Sequence, residues 1–458
     1  MRTGLVNMEK RNLEPLMILA VTGSFLFVLV TGFPGLFEGQ HPVTAVTASP
    51  SLVPVEKPAV TAENDDTLQS LARDRDTIAN IFAGLEPFFQ AISHIQADHA
   101  VLHIAYFGDS MIEGDLVTQP LRRNMQRRFG GSGIGFIPLT SPQPCFRTTI
   151  RQTFNDDWTV YSFVHPGKTQ AVTPGISGYV YISGAGAETK YESVPGYGKF
   201  RKADILYGGQ NEVTVKVATD TITRVLSLIP DQGKAVSDLS VTIDSVFSVF
   251  ELRVTSSKPG LLYGVNFENG PGVYVDNYAF RGNSGLPLKN IPPDVIAGFN
   301  KKLSNKLLII HYGLNVYTPG IEDYHWYEAA MVNVIRHVKE SSPGCAILMI
   351  SMPDRSALIS GEYYTPSGLP EFIRLQQRIA NSEHVAFFNL YAAMGGANSM
   401  KQWVEGSPKL AGDDYTHPNG AGASRIASLV YDFLMKGYDR FQHCTDSIAY
   451  TSQPKPLL

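Results

Sequence analysis

Two hydrophobic rhythms alternate along this chain. Short apolar runs of strand length stand at Val101–Phe107 (VLHIAYF), Lys306–His311 (KLLIIH), Ala346–Ser351 (AILMIS) and Val385–Leu390 (VAFFNL). Each is followed by a segment with helical spacing of apolar positions: 117–128, 327–340, 370–381 and 420–435. Strands apolar on both faces and separated by helices predict a parallel sheet covered on both sides. A further helical pattern runs over Thr67–Ile95, through Leu68, Leu71, Ile78, Ile81, Phe82 and Leu85.

The middle of the chain follows another rule. From about Gln143 to Leu262, short runs such as TVYSFV, GYVYIS, EVTVKV, RVLSLI, LSVTID and FELRVT are punctuated by Gly, Pro, Asp and Asn. This pattern predicts an antiparallel β-sandwich inserted into the α/β domain. The N-terminal end differs again. Lys10 and Arg11 precede an uncharged run, Pro15–Phe37, whose length approaches the ~20 residues that cross a bilayer. Basic residues before it and Glu38 after it favour an N-terminus inside. The first reading is an uncleaved inner-membrane anchor with the bulk of the chain in the periplasm or extracellular space. A cleaved signal peptide and a secreted form is the second, and a buried helix the third. The layout expected is 1–40 cytoplasmic N-terminus and anchor, 41–66 Pro/Thr/Ala-rich linker, 67–142 α/β domain, 143–262 inserted β-domain, 263–436 second part of the α/β domain, and 437–458 tail.

Composition removes several classes. A net charge of -4 over 458 residues shows no basic excess, so no nucleic-acid partner is expected. Cys145, Cys345 and Cys444 lie far apart without metal-ligand spacing, so neither a metal nor a cofactor is implied; one disulfide is open, its pairing unassigned.

Four short motifs carry the chemistry. Gly108-Asp109-Ser110 ends an apolar strand just ahead of a helix, which presents a hydroxyl at the carboxyl edge of the sheet beside free N–H groups. Alone it is a weak motif, and a turn with Asp or Ser as helix cap is the simpler reading. Asp414-Tyr415-Thr416-His417 offers a base for that hydroxyl and, three positions earlier, a carboxylate to orient it. Asp413 is a rival that lacks this spacing. Gly313-Leu314-Asn315 follows a strand and can supply a side-chain amide to an oxyanion. Arg281-Gly282-Asn283-Ser284-Gly285 can bring a backbone N–H close. His311 and Asp354 stand at strand ends, where packing is the simpler reading. Trp158, Tyr161, Tyr179 and Tyr181 could stack on sugars or fill a strand core.

Ser, Gly, Asn and His in this order resemble the SGNH (GDSL-like) hydrolase superfamily. Ile104–Pro138, with G-D-S-x-x-x-G-D, and Leu261–Gly285 resemble its peptidoglycan O-acetylesterase branch, over roughly Thr67–Met435. Val316, where many relatives carry an acid, and Met111, in place of the Leu of GDSL, depart from the pattern. The resemblance implies a three-layer α/β/α fold carrying the inserted β-sandwich. It also implies a catalytic Ser110, His417 and Asp414, and an oxyanion hole of Ser110, Gly282 and Asn315. The activity implied is an extracytoplasmic serine esterase removing O-acetyl groups from peptidoglycan or another acetylated polysaccharide. The same triad would serve a glycan O-acetyltransferase working with a membrane-bound O-acyltransferase. A non-catalytic glycan-binding or scaffold protein is the alternative of another class.

Overall fold

The run beginning at Val101 forms β1 (Val101–Gly108), the strand around which the computed structural model is organised. The residues described are Phe82, 84–142, 147–163 and 172–451, with side chains as far as His443. All fall in one compact unit, Asp65–Leu458. The apolar run Pro15–Phe37, the linker 41–66, most of the helical pattern from Thr67, Cys145 and the Cys444 side chain lie outside the described residues. Among the described residues, no helix is long and apolar enough to cross a membrane. Cys345 is a free thiol whose Sγ donates to the Asn305 carbonyl at 3.1 Å.

Helix α1 (Glu86–His94) precedes β1. A 3-10 turn (Ser110–Asp115), α2 (Thr118–Phe129) and β2 (Gly135–Pro138) follow it. The β-rich stretch contains β3 (Ile150–Phe154), β4 (Trp158–Ser162), β5 (Tyr179–Ser183), β6 (Glu188–Ser193), β7 (Phe200–Gly208), β8 (Val213–Thr219), β9 (Thr223–Leu228), β10 (Ser237–Phe247), β11 (Val249–Val254) and β12 (Leu261–Glu268). The chain then returns through β13 (Gly272–Ala279), α3 (Pro293–Lys302), β14 (Asn305–His311), α4 (His325–Glu340) and β15 (Ala346–Ile350). A short hairpin, β16 (Ala357–Ile359) and β17 (Glu362–Tyr364), leads to α5 (Leu369–Ser382) and β18 (Ala386–Phe388). The last elements are α6 (Leu390–Met394), α7 (Ser399–Glu405) and α8 (Gly420–Thr451). The closing helix thus continues well beyond Met435.

The parallel sheet runs β13-β1-β14-β15-β18. The order reverses at β1, which places a crevice at the carboxyl ends of β1 and β14. β1, β14 and β15 read as apolar runs because, apart from Val101 and Lys306 near two strand starts, they are buried.

Two antiparallel sheets lie beside it. One has the order β10-β7-β12-β5-β4, with β2 joined to β12; the other is β3-β6-β11-β8-β9. Tyr191, Val215 and Phe250 from the second meet Phe200, Ile205 and Phe267 from the first in a core of their own. The other face of the six-stranded sheet contributes Phe136, Val180, Leu206 and Tyr263 to the core of the α/β region. β7 and β12 are therefore buried on both faces.

Buried polar groups tie the sheets together. His103 on β1 has no exposed surface. Its Nδ1 lies 2.8 Å from Asp276 Oδ2 on β13, and its Nε2 lies 3.0 Å from Glu268 Oε1 on β12. Asp276 Oδ1 accepts the Phe136 N–H of β2 at 2.8 Å. Burial opposes a charge on the imidazole, but Asp276 and then Glu268 outweigh it and hold the pKa up at about 9. A raised pKa stabilises the fold below the unfolded value of 6.5, and this contribution is lost as pH rises through about 9. We therefore expect urea stability to fall between pH 6.5 and 9 by an amount on the order of 3 kcal/mol from this group. His103→Gln should be less stable at pH 6 and flatten that part of the profile; an unchanged slope in the variant would contradict the clamp.

Candidate active site

The serine turn starts where β1 runs out of room. A Cβ on Gly108 would lie 2.9 Å from the Ile112 side chain and 3.1 Å from the His311 carbonyl, so the exit from β1 admits only glycine without displacement. Asp109 follows, 1% exposed, and its Oδ1 accepts the Met111 N–H at 3.0 Å. Burial pushes the Asp109 pKa up to about 6, against the pull of the Met111 N–H, His417 and Asn315. Met111 is buried in the core, so it does the apolar work of the Leu it replaces.

The turn is not a regular helix. Glu113 (φ -58, ψ 148) and Gly114 (φ 70, ψ 13) break it, and Asp115 ends it. Asp115 is fully buried and takes Arg122 in a fork, Nη1 to Oδ2 at 2.9 Å and Nη2 to Oδ1 at 2.8 Å. Thr149 and Thr118 complete its shell. Arg122 Nε donates to the Val275 carbonyl of β13 at 2.8 Å, and Asn277 Nδ2 donates to the Ile112 carbonyl at 2.6 Å. The second acid of G-D-S-x-x-x-G-D thus fixes the turn that carries Ser110.

Ser110 Oγ lies 2.8 Å from His417 Nε2, and His417 Nδ1 lies 2.6 Å from Asp414 Oδ2. Asp414 Oδ1 accepts the N–H groups of Thr416 at 3.1 Å and of His417 at 3.0 Å. Burial would raise the Asp414 pKa, but the bonds from the His417 ring and these two backbone groups hold it down at about 2. Asp414 is ionised at any working pH above that. Asp413 points elsewhere, to Lys409. Tyr415, between acid and base, has φ 52, and its ring stacks on Tyr363 of β17 at 3.6 Å.

Asn315 sits on the turn after β14, where Gly313 (φ 146) passes so close to Met352 that a Cβ would come within 2.7 Å. Its Nδ2 donates to Asp109 Oδ2 and to the Asn283 carbonyl, each at 3.1 Å. Donation to an oxyanion therefore means sharing or exchanging one of these bonds. Val316 beside it is buried in the core. Gly282 (φ 74) lies on the loop after β13, which is tied to the serine strand by the Phe280 N–H on the Gly108 carbonyl at 2.9 Å. Among the described residues neither the Ser110 nor the Gly282 N–H has a backbone acceptor. The structure thus brings Ser110, His417 and Asp414 into one hydrogen-bonded line, sets Asn315 against Asp109, and carries Gly282 on a neighbouring loop.

Other residues singled out in the sequence take structural places. His311 is buried, bonded to Tyr106 Oη at 3.1 Å, and burial lowers its pKa to about 4. Asp354 accepts Thr365 Oγ1 at 2.7 Å and the Met400 N–H at 2.8 Å. Trp158 and Tyr181 are buried in the β core, whereas Tyr179 stays partly open. Sequence reasoning missed Asp109, Asn277 and Asn283 as parts of the site.

No family model matches the chain, and no curated protein matches it. Among solved structures, a peptidoglycan O-acetylesterase superposes with a TM-score of 0.64 at 21% identity, over 77% of this chain and 96% of that one. A Bacillus subtilis protein aligns at a TM-score of 0.32 (15% identity, 62% and 90% coverage). A family two carbohydrate esterase from Clostridium thermocellum aligns at 0.26 (12% identity, 58% and 99% coverage). Only the first is close enough to speak of a shared fold. It shows that the chain has an SGNH-hydrolase-like fold: mixed α/β, with a parallel sheet and additional antiparallel sheets.

Removing Asp115 leaves Arg122 as an uncompensated buried charge. Asp115→Ala should cost about 3–5 kcal/mol in urea unfolding. A loss under 1 kcal/mol would show that the pair does not hold the turn.

Proposed function

We propose that this chain is a serine esterase that removes O-acetyl groups from peptidoglycan or another cell-envelope polysaccharide. The observation that carries the reading is the line Ser110 Oγ–His417 Nε2–Asp414, at 2.8 and 2.6 Å, on a fold shared with a peptidoglycan O-acetylesterase. In the proposed reaction His417 Nε2 takes the Ser110 proton as Oγ attacks the acetyl carbonyl. Charge moves to the carbonyl oxygen, toward the Ser110 N–H, the Gly282 N–H and the Asn315 amide. Asp414 stays ionised and stabilises the imidazolium. His417 returns the proton to the departing sugar oxygen, and water then releases acetate from the acyl-serine.

The wider reading includes the three-layer α/β/α arrangement, the β-domain as an insertion within the esterase, and an anchor at Pro15–Phe37 that leaves the site outside the cytoplasm. The charge pattern around that run supports the last point.

The test is acetate release from O-acetylated peptidoglycan and O-acetylated polysaccharides by the full chain. Ser110→Ala should abolish release. Asp414→Asn should lower kcat by about 10⁴. Asn315→Ala should lower it by about 10²–10³. Equal release by the wild type and Ser110→Ala would sink the assignment of the nucleophile.

A further inference from the structure

Between the serine turn and the six-stranded sheet lies a cavity of about 130 Å³. Glu113 and Gly114 of the turn and Asn277 and Ala279 at the end of β13 form one side; Thr140 and Tyr179 form the other. It reaches the turn that carries Ser110 through Glu113 and Gly114, and the Gly282 loop through its neighbour Arg281. That volume exceeds the ~10–15 Å³ occupied by a single water probe several-fold, enough for a sugar substituent.

Arg147 lines this cavity, and its Nη1 is buried without a hydrogen-bond partner. The carboxylates whose charge reaches it are already occupied, Asp115 by Arg122, Thr118 and Thr149, and Asp276 by His103 and the Phe136 N–H. Burial pulls the Arg147 pKa down, with Asp115 opposing that shift and Arg122 reinforcing it. An arginine still does not deprotonate, so a cationic donor is left beside the cavity with an unmet bond. The acid at the rim does not serve it: Glu113 is bonded to Arg281 Nε at 2.9 Å. Tyr179 stacks on Phe280 at 4.8 Å, and burial, then the Glu113 charge, pushes its pKa up to about 12, so its hydroxyl remains a donor.

We propose that this cavity is a carboxylate subsite in which Arg147 holds an acidic sugar of the glycan whose acetyl ester lies at Ser110. The proposal rests on the polysaccharide-esterase reading above and narrows it to acidic glycans. The carboxylate of a uronic acid and the lactyl carboxylate of a muramic acid freed of its peptide offer the same chemistry to a guanidinium.

Binding to the full chain carrying Ser110→Ala, measured by calorimetry, tests this without depending on hydrolysis. The probes are oligomannuronate and peptide-free peptidoglycan glycan strands, each beside its carboxyl-reduced form. At least one carboxylated probe should bind about 10-fold to 100-fold more tightly than its reduced counterpart. Adding Arg147→Gln should erase that preference, and Arg147→Lys should restore part of it. The probe that shows the preference identifies the source of the carboxylate. Equal binding of both forms, no binding of either, or a preference that survives Arg147→Gln would overturn the subsite. If Arg147→Gln does not fold, the comparison of carboxylated and reduced probes on the parent still decides. Absence of acetate release by the wild type would instead count against the esterase reading, whatever the binding result.

Discussion

The fork between Arg122 and Asp115 is the interaction on which the site depends. Two charges taken out of water cost several kcal/mol each unless their bonds are nearly ideal. Here Asp115 is met by a bidentate guanidinium and two threonine hydroxyls, while the third donor of Arg122 lands on the Val275 carbonyl. The turn between Ser110 and Asp115 cannot position itself, because Glu113 and Gly114 leave helical geometry in its middle. Its far end is instead anchored to α2 and β13. The near end is set by Gly108 and by Asp109, which bonds the turn on one side and Asn315 on the other. A serine on a turn held at both ends can keep a 2.8 Å approach to His417, and if Ser110 is the nucleophile as proposed, displacements of an ångström there cost rate heavily.

The β-rich stretch is bound to the same framework. The six-stranded sheet gives one face to its own sandwich core and the other to the α/β core, so the two share hydrophobic burial. Where they meet, apolar packing gives way to His103, Asp276, Glu268 and Asn266, each with a hydrogen-bond partner. Groups buried in a seam specify register, since a slip of one residue along β1 would take the His103 ring away from both Asp276 and Glu268. The Arg147 cavity lies in the same junction, between the serine turn and β5.

What the sequence made legible follows from this division of labour. β1, β14 and β15 were readable because both of their faces are apolar, and the hydrogen-bonded line of Ser110, His417 and Asp414 because a serine after a strand and a D-x-x-H spacing survive as short motifs. β13 escaped notice because Asp276 and Asn277 interrupt its apolar run, and they do so to bond His103, Phe136 and the serine turn. β3 and β6 escaped because their residues are mostly half-buried or exposed and carry charge. α3 begins at a Pro-Pro step that reads as a loop. Asn283 acts through its backbone carbonyl on Asn315, a role that any residue type could fill and that no motif records. Trp158 and Tyr181 fill the strand core, the simpler of the two readings that their place in the strands offered.

The two halves of the proposed catalytic pair are mounted differently, and that difference has a physical logic. Ser110 stands on a buried turn locked to the sheet, whereas the His417 and Asp414 side chains are 42% and 53% exposed on a loop. Such a loop needs its own supports. Asp414 folds back onto two N–H groups, the Gly412 N–H bonds the His417 carbonyl at 2.9 Å, and Ser356 bonds the Tyr415 carbonyl at 3.0 Å. Left-handed backbone at Tyr415 costs roughly 1–2 kcal/mol, and its ring recovers about 0.5–1.5 kcal/mol by stacking on Tyr363. Under the proposed esterase reading, an open base and a rigid nucleophile suit a polymer better than a small ester, because the chain can approach from solvent without the site having to open. On that reading selectivity comes from groups beside the ester, which is where the proposed carboxylate subsite stands.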